Sequence, residues 1–317
     1  MLCKEQQKIV SHFKGALASD TLRHAYIISG SSGVGKKRAA DELQLLFACN
    51  KGDGCGICEG CKSAKLGANS DIIRLSLGDK NVYEIARIRE LIKKVHEKPT
   101  GKHKLIIIED AHCLGQICQN ALLKLIEEPP PYAVFVLLCD NIFTILPTVL
   151  SRVMTIEMHP WKKKELEAIC PLDSSRSYLY DLAEGNPGTL LSIVSDSEFS
   201  KMRNIAIDSF VSLVSSSDYG VYDVADTWLE QKEKVKDMLS VLTLFLADVM
   251  IVSLGRTDEI VCTDKIRECE IVATRMSPKA ALEITELALS YLARMGRSEN
   301  LSMALVTMFM KIKEIIT

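Results

Sequence analysis

Short apolar runs alternate with amphipathic stretches over the first half of the 317-residue chain. The runs carry Ile, Val and Leu on both faces, which is typical of strands in a parallel sheet covered by helices on both sides. Strands that alternate with helices form βαβ units. The pattern therefore predicts an α/β domain over residues 1–160, built on a five-stranded parallel sheet. Its strands are expected at residues 24–30, 71–77, 104–110, 133–139 and 153–158.

The pattern changes after Pro160, because no clear strand follows and the apolar positions take helical spacing. Short helical stretches predict a small helical domain at 161–202, and longer ones predict an all-α domain at 203–317. The most apolar stretch, 238–254, is shorter than the ~20 residues that a membrane span needs, and it contains Asp248. We therefore predict a buried helix there and no association with a membrane.

Charge and cysteine content narrow the classes of function. Lys and Arg total 39 against 41 Asp and Glu, a net charge of -2. This balance argues against a protein that binds nucleic acid on its own, because such proteins are usually basic. Eleven cysteines and an amino terminus without an apolar signal core predict a reducing, cytoplasmic location. In that environment clustered cysteines bind metal more often than they form disulfides.

A glycine-rich loop follows the first predicted strand. Gly30, Gly35 and Lys36 match the fixed positions of the phosphate-binding P-loop motif G-x-x-x-x-G-K-[ST], and Gly33 adds backbone freedom. Such a loop cradles phosphate oxygens with backbone amides at a helix amino terminus. Lys37 replaces the hydroxyl residue that ligates Mg²⁺, and an ammonium group competes with a cation. The residues predict poor hydrolysis and leave open whether the loop still binds ATP or ADP.

An acidic pair, Glu109 and Asp110, follows the third predicted strand. ATPases of this build place Asp first, for the metal, and Glu second, to activate water. Here the order is reversed, and since Glu is longer by one methylene both carboxylates are displaced. A misplacement of about 1 Å costs roughly a hundredfold in rate. The alternative is a carboxylate pair that only caps the strand end.

Four cysteines lie close together in the first predicted crossover. Cys49, Cys55, Cys58 and Cys61 have the spacing C-x5-C-x2-C-x2-C with glycines between them. Four thiolates at such spacing suit one tetrahedral Zn²⁺, and an iron–sulfur cluster is the minor alternative. No other ligand residue completes an open coordination site, so we predict a structural zinc module at 49–61.

Arg152 follows Ser151 just before the last predicted strand. A surface arginine without a function is the usual case. An arginine at the edge of a nucleotide domain can, however, reach the ATP site of an adjacent subunit, where it raises the rate about 10³–10⁵-fold.

These segments together resemble the bacterial AAA+ clamp-loader subunits of the DNA polymerase III holoenzyme. The resemblance is dense over residues 20–160, and its segments occur in the family's order: LRHAYIISGSSGVGKK, CNKGDGCGICEGC, NALLKLIEEPP and LPTVLSR. One departure is Val153, where the family usually has Cys. Val fills similar space. The resemblance implies an AAA+ domain with an inserted zinc knuckle, a helical lid at 161–202 and a helical collar at 203–317 that holds a pentameric ring.

Within the family the sequence is more similar to the delta-prime type than to the gamma/tau motor type. Motor subunits keep a hydroxyl after the loop lysine, the order Asp-Glu, and a nucleotide-sensing arginine where this chain has Gly188 and Thr189. The resemblance implies that Arg152 acts in trans on a motor subunit's ATP. It also implies gamma/tau and delta subunits as partners, and the sliding clamp and primed DNA through the complex.

Two other functions are consistent with the residues. The chain could be a gamma/tau-like clamp-loader ATPase with unusual substitutions. It could also be a zinc-bearing adaptor that scaffolds partners and takes no part in ATP chemistry.

Overall fold

The computed structural model describes residues 3–78, 81–215, 220–294 and 300–316. The chain divides into two compact units, and each is described by itself. The first takes Met1–Glu165 and Gly185–Gly188, and the second takes Leu166–Glu184 and Thr189–Thr317. The predicted separation of a lid from a collar at residue 202 stays a prediction.

The first unit is built on one five-stranded sheet. Its strands are β1 (Ala25–Ser29), β2 (Ile72–Leu75), β3 (Lys104–Ile108), β4 (Ala133–Cys139) and β5 (Met154–Glu157). They lie in the order β2-β3-β4-β1-β5, and every neighbouring pair is parallel. The predicted five-stranded parallel sheet is confirmed.

Burial along the strands follows their place in the sheet. Every residue of β1, β3 and β4 is buried, because each of these strands has a neighbour on both sides and helices over both faces. The edge strands β2 and β5 are only partly buried. At the centre, Ile27 of β1 is paired with Leu137 on one side and Thr155 on the other.

The first unit has one helix before β1 and others that connect the strands. They are α1 (Lys4–Ala18), α2 (Lys36–Ala48), α3 (Glu59–Lys65), α4 (Ile85–Val95), α5 (Gln116–Glu127) and α6 (Pro147–Leu150). Helices α2 and α3 lie in the crossover from β1 to β2. Helix α5 ends where Pro129, Pro130 and Pro131 follow, because proline lacks the amide hydrogen that another turn needs.

The remaining helices follow residue 160, and α7 and α9 cross the boundary between the units. They are α7 (Lys163–Ile169), α8 (Tyr178–Leu182), α9 (Pro187–Ser195), α10 (Phe199–Ser215), α11 (Gly220–Leu229), α12 (Val235–Ser253), α13 (Ile266–Ala273), α14 (Pro278–Arg294) and α15 (Leu301–Ile316). The core of the second unit is mainly aliphatic and includes a few aromatic rings. Trp228 packs edge-on against Phe309 with 5.2 Å between ring centroids, and both rings are fully buried.

Helix α12 covers residues 238–253 of the apolar stretch predicted at 238–254, and its inward face is buried as expected. Asp248 on this face is fully buried, and its two carboxylate oxygens accept hydrogen bonds from the amides of Val261 and Cys262, both at 2.8 Å. A buried carboxylate held in this way anchors the segment that follows the helix. Over the described residues, no helix is both long and apolar enough to cross a bilayer.

Candidate functional site

Three chain segments meet at the carboxyl ends of the central strands. The glycine-rich loop at 30–35 follows β1, the pair Glu109 and Asp110 follows β3, and Asp140 follows β4. Since β4 lies between β1 and β3 in a parallel sheet, the three segments leave the same edge side by side. The structure therefore brings the predicted loop lysines and the predicted acidic pair together.

The glycines of the loop provide backbone conformations that other residues rarely adopt. Gly33 and Gly35 have φ values of 82° and 106°, in the left-handed region, and Gly35 caps the amino terminus of α2. A Cβ atom on Gly30 would lie 2.7 Å from the carbonyl oxygen of Met158. The loop thus keeps the strand–turn–helix form of a phosphate-binding loop.

Lys36 makes its contacts inside the loop. Its ammonium donates to the carbonyl oxygens of Gly30 at 2.6 Å and Ser31 at 2.8 Å, and it forms an ion pair with Asp140 at 2.7 Å. Only 6% of the side chain is exposed. A phosphate group would have to compete with Asp140 for this ammonium.

The other loop carbonyls are also held by the protein. The Asn186 side chain donates to the carbonyl of Ser32, and the amide of Gly188 donates to that of Gly33 at 3.1 Å. The indole of Trp161 donates to the Val34 carbonyl at 3.0 Å. The fully buried side chain of Gln6 donates to the Gly35 carbonyl at 3.0 Å. These bonds fix the loop without any ligand.

Lys37 lies against the reversed acidic pair. Its ammonium is 3.0 Å from a carboxylate oxygen of Glu109 and 3.0 Å from one of Asp110. Burial works against the charge of Lys37, but hydrogen bonds to these two carboxylates raise its pKa above the usual value. Lys37 stands at the hydroxyl position of the motif. Its ammonium therefore contacts the two carboxylates that would otherwise bind a metal ion.

A second cation reaches Glu109 from the neighbouring strand. The guanidinium of Arg74, on β2, contacts both Glu109 and Asp41. Burial of Glu109 disfavours its charge, but the hydrogen bonds from Lys37 and Arg74 outweigh burial and lower the pKa of its carboxyl. Glu109 is thus an ion-paired carboxylate rather than a poised base.

The four predicted metal-ligating cysteines converge. Their sulfur atoms all lie within 4.8 Å of one another, with 3.7 Å from Cys49 to Cys55 and 4.0 Å from Cys49 to Cys58. Four thiolates that bind Zn²⁺ tetrahedrally at about 2.3 Å lie roughly 3.8 Å apart. The cluster, which Cys61 completes, therefore has the ligand type and the spacing to hold one metal ion.

Local structure explains how these cysteines meet. Cys49 follows the last residue of α2, Cys58 caps the amino terminus of α3, and Gly54 and Gly56 turn the chain with φ values of 70° and 71°. The backbone amides of Cys61 and Asn50 lower the pKa of the Cys58 thiol to about 6. Burial raises the pKa of the Cys61 thiol to about 12, so this ligand needs the charge of a metal ion to lose its proton.

Arg152 lies in the turn between α6 and β5, and 40% of its side chain is exposed. Its Nε atom is 2.8 Å from a carboxylate oxygen of Glu127. Its Nη1 atom donates to the carbonyl of Thr148 at 2.9 Å and to the hydroxyl of Ser151 at 3.0 Å. The sequence predicted a role for this arginine. The structure adds the three groups that contact its guanidinium.

Sequence reasoning missed the side chains that contact Lys36 or the carbonyl groups of the loop: Asp140, Asn186, Trp161 and Gln6. Asp140 could have been found, because it is a carboxylate directly after a predicted strand. The other three come from positions far from the loop in sequence, and their pattern gives no signal.

Two family models match the chain in order. One, described as DNA polymerase III, delta subunit, matches residues 5–162, and one described as DNA polymerase III, delta subunit, C terminal, matches residues 197–308. DNA polymerase III subunit delta' of Bacillus subtilis (strain 168) is 26% identical over 284 residues, 86% of each chain. This chain belongs to the delta-prime family of DNA polymerase III clamp-loader subunits.

The chain is also similar to tau/gamma subunits over part of its length. DNA polymerase III subunit tau/gamma of Haemophilus influenzae is 33% identical over 157 residues, 48% of this chain and 22% of that relative. The chain thus spans less than a quarter of that relative's length. A solved gamma subunit-related protein from Thermotoga maritima aligns over 97% of this chain and 99% of its own, with 18% identity and a TM-score of 0.48.

Proposed function

We propose that this chain is a clamp-loader subunit that lends Arg152 to the ATP site of a neighbouring gamma/tau-type subunit and hydrolyses no ATP itself. The observation that carries the proposal is the contact of Lys37 with Glu109 and Asp110. A lysine in the hydroxyl position pairs with the carboxylates that a catalytic magnesium ion would need.

Three features of the loop act against hydrolysis in its own site. Lys37 supplies no oxygen ligand for Mg²⁺, Glu109 is held by two cationic side chains, and Lys36 is paired with Asp140. Phosphoryl transfer depends on positioned cations and a positioned water, so the loss of the metal site removes most of the catalytic power.

Arg152 has the properties that a trans-acting arginine needs. It is exposed enough to meet a partner, and its guanidinium is held by fixed groups of the turn before β5. A guanidinium that reaches a transferring phosphoryl stabilises the charge of the transition state. The family membership supports a neighbouring motor subunit as the recipient.

We assign the cysteine cluster a structural zinc ion. Cys49, Cys55, Cys58 and Cys61 would hold it, and tetrathiolate coordination leaves no open position for a substrate. The ion would fix the long crossover between β1 and β2 and do no chemistry.

The partners follow from the same proposal. Gamma/tau-type motor subunits and the delta subunit would assemble with this chain in the cytoplasm, with the helical part at 203–317 as the collar. The assembled complex would open the sliding clamp and place it on primed DNA. The chain itself would reach both only through the complex.

The test is ATP turnover by the reconstituted complex with clamp and primed DNA, comparing Arg152→Ala with Arg89→Ala. Arg89 is an exposed arginine on α4 and serves as the matched control. We expect Arg152→Ala to lower turnover at least about tenfold, within the range that trans arginines contribute. Equal turnover with the two variants would refute the proposed role.

A further inference from the structure

We propose that Glu127 is a positioning residue for Arg152, holding the guanidinium so that its Nη2 group is kept for an anion. This inference rests on the proposed function of Arg152. It adds a second side chain to the trans-acting site.

Two of the three guanidinium nitrogens of Arg152 contact the protein, and the third is left for a ligand. A guanidinium has five N–H donors, one on Nε and two on each terminal nitrogen. Glu127 takes the Nε donor at 2.8 Å, and Thr148 and Ser151 take donors of Nη1 at 2.9 and 3.0 Å. Nη2 has no hydrogen-bond partner among the described residues. Its two N–H groups point in different directions, and each can donate to an oxygen of an anion.

Holding matters because an arginine side chain has many rotamers. When an anion binds a mobile arginine, the side chain loses conformational entropy, and this loss weakens binding. A guanidinium that the protein already holds has lost this entropy before the anion binds. Glu127 is the contact that can do this from outside the turn, since Thr148 and Ser151 belong to the same short segment as Arg152. It comes from the last residue of α5, 25 positions earlier in the chain.

Because both side chains of the ion pair are exposed, a positioning role of Glu127 can be distinguished from a contribution to folding stability. The side chains of Arg152 and Glu127 are 40% and 37% exposed. Exposed ion pairs contribute little to stability. Loss of the Glu127 carboxylate should therefore shift the thermal midpoint by no more than about 2–4 °C, while the orientation of the guanidinium is lost.

The neighbouring glutamate provides a matched control. Glu128 follows Glu127, is also exposed, and forms no ion pair within the described part of the chain. Glu128→Ala removes the same charge one residue further on. Glu127→Gln keeps an oxygen that can still accept from Nε.

The experiment measures ATP turnover by the reconstituted complex with clamp and primed DNA. We expect Glu127→Ala to lower turnover about two- to fivefold, the effect of one exposed charged contact. Glu127→Gln should lie between Glu127→Ala and wild type, and Glu128→Ala should match wild type. The double variant Arg152→Ala with Glu127→Ala should be no slower than Arg152→Ala alone.

Each other result overturns the inference in an identifiable way. If Arg152→Ala slows turnover but Glu127→Ala does not, the positioning role is wrong and the proposed function stands. If Arg152→Ala has no effect, both fail together. A further loss from Glu127→Ala in the Arg152→Ala background would show a structural role, and a gain from Glu127→Ala alone would show that Glu127 withholds the arginine.

Discussion

The ammonium of Lys37 lies 3.0 Å from a carboxylate oxygen of Glu109, so the phosphate-binding loop of this chain is joined to its own acidic pair by an ion pair. In an active site of this build a metal ion would bridge the same two places. The loop keeps its glycines and its shape, but the cation beside the acidic pair is the Lys37 ammonium, a side chain of the protein, and not a metal ion. Under the proposed function, Lys37 therefore makes the loop a fixed structural element and not a catalytic one.

The ion pairs of Glu109 should contribute to stability. Glu109→Gln keeps the shape of the side chain and removes the charge that Lys37 and Arg74 contact. We expect the free energy of unfolding to fall by about 1.5–3 kcal/mol, the range for hydrogen bonds to charged groups. Chemical denaturation measures it, with the exposed Glu97→Gln as the control. Equal loss in both variants would contradict this expectation.

The same group should make stability depend on pH. Because the pKa of Glu109 is lower in the folded chain than its ordinary value of 4.5, its ionised form favours folding. That contribution is present above pH 4.5 and is lost as the pH falls through the lower, folded pKa. Unfolding curves between pH 6 and pH 3 should therefore be less pH-dependent in Glu109→Gln than in wild type. Parallel curves would show that Glu109 titrates normally.

Lys37 should make nucleotide binding insensitive to magnesium. For the isolated chain, we expect ATP affinity to be the same with and without Mg²⁺, because the ammonium fills the cation's place. Lys37→Thr frees the acidic pair and restores a hydroxyl ligand, so Mg²⁺ should then strengthen ATP binding. Equilibrium dialysis with labelled ATP measures both, and the exposed Lys51→Thr is the control. Magnesium-dependent binding by wild type would contradict this reading.

The cysteine cluster should carry one zinc ion per chain. Elemental analysis of the purified protein should find it in wild type and in Cys170→Ser, whose cysteine lies outside the cluster. Cys58→Ser removes one of four ligands and should lower both the metal content and the thermal midpoint, because metal binding contributes to folding. A metal-free wild-type chain, or full metal content in Cys58→Ser, would show that the cluster is not a zinc site.

Asp248 should be the most sensitive single carboxylate of the second unit. Asp248→Ala leaves the amides of Val261 and Cys262 without their acceptor in a buried place. We expect a loss of about 2–5 kcal/mol in the free energy of unfolding. The exposed Asp226→Ala is the control and should change it by less than about 0.5 kcal/mol. A loss as small as that in Asp248→Ala would mean that water replaces the carboxylate.

The sheet was predictable because its signal is local. Strand β3 ends in the run LIII, which is apolar at every position, and a strand buried on both faces needs such a run. The cysteine cluster was predictable for the same reason, since its four cysteines lie within thirteen residues of chain. In both cases neighbouring residues carry the whole pattern.

The contacts that determine the state of the loop were not predictable from local patterns. Asn186 reaches the loop from 154 positions away, and Trp161 from 127. The pairing of Arg152 with Glu127 likewise depends on how a turn packs beside the end of α5. The spacing of residues in the sequence does not predict such long-range contacts, because tertiary packing determines them.

In the proposed function, Arg152 acts on the ATP of a neighbouring subunit, and the loop of this chain hydrolyses none. The most direct measurement compares Arg152→Ala with Lys36→Ala in ATP turnover by the reconstituted complex with clamp and primed DNA. We predict a loss of about tenfold or more with Arg152→Ala and wild-type turnover with Lys36→Ala, provided that both variants assemble. Loss with Lys36→Ala and none with Arg152→Ala would show that the loop is catalytic and would contradict the claim.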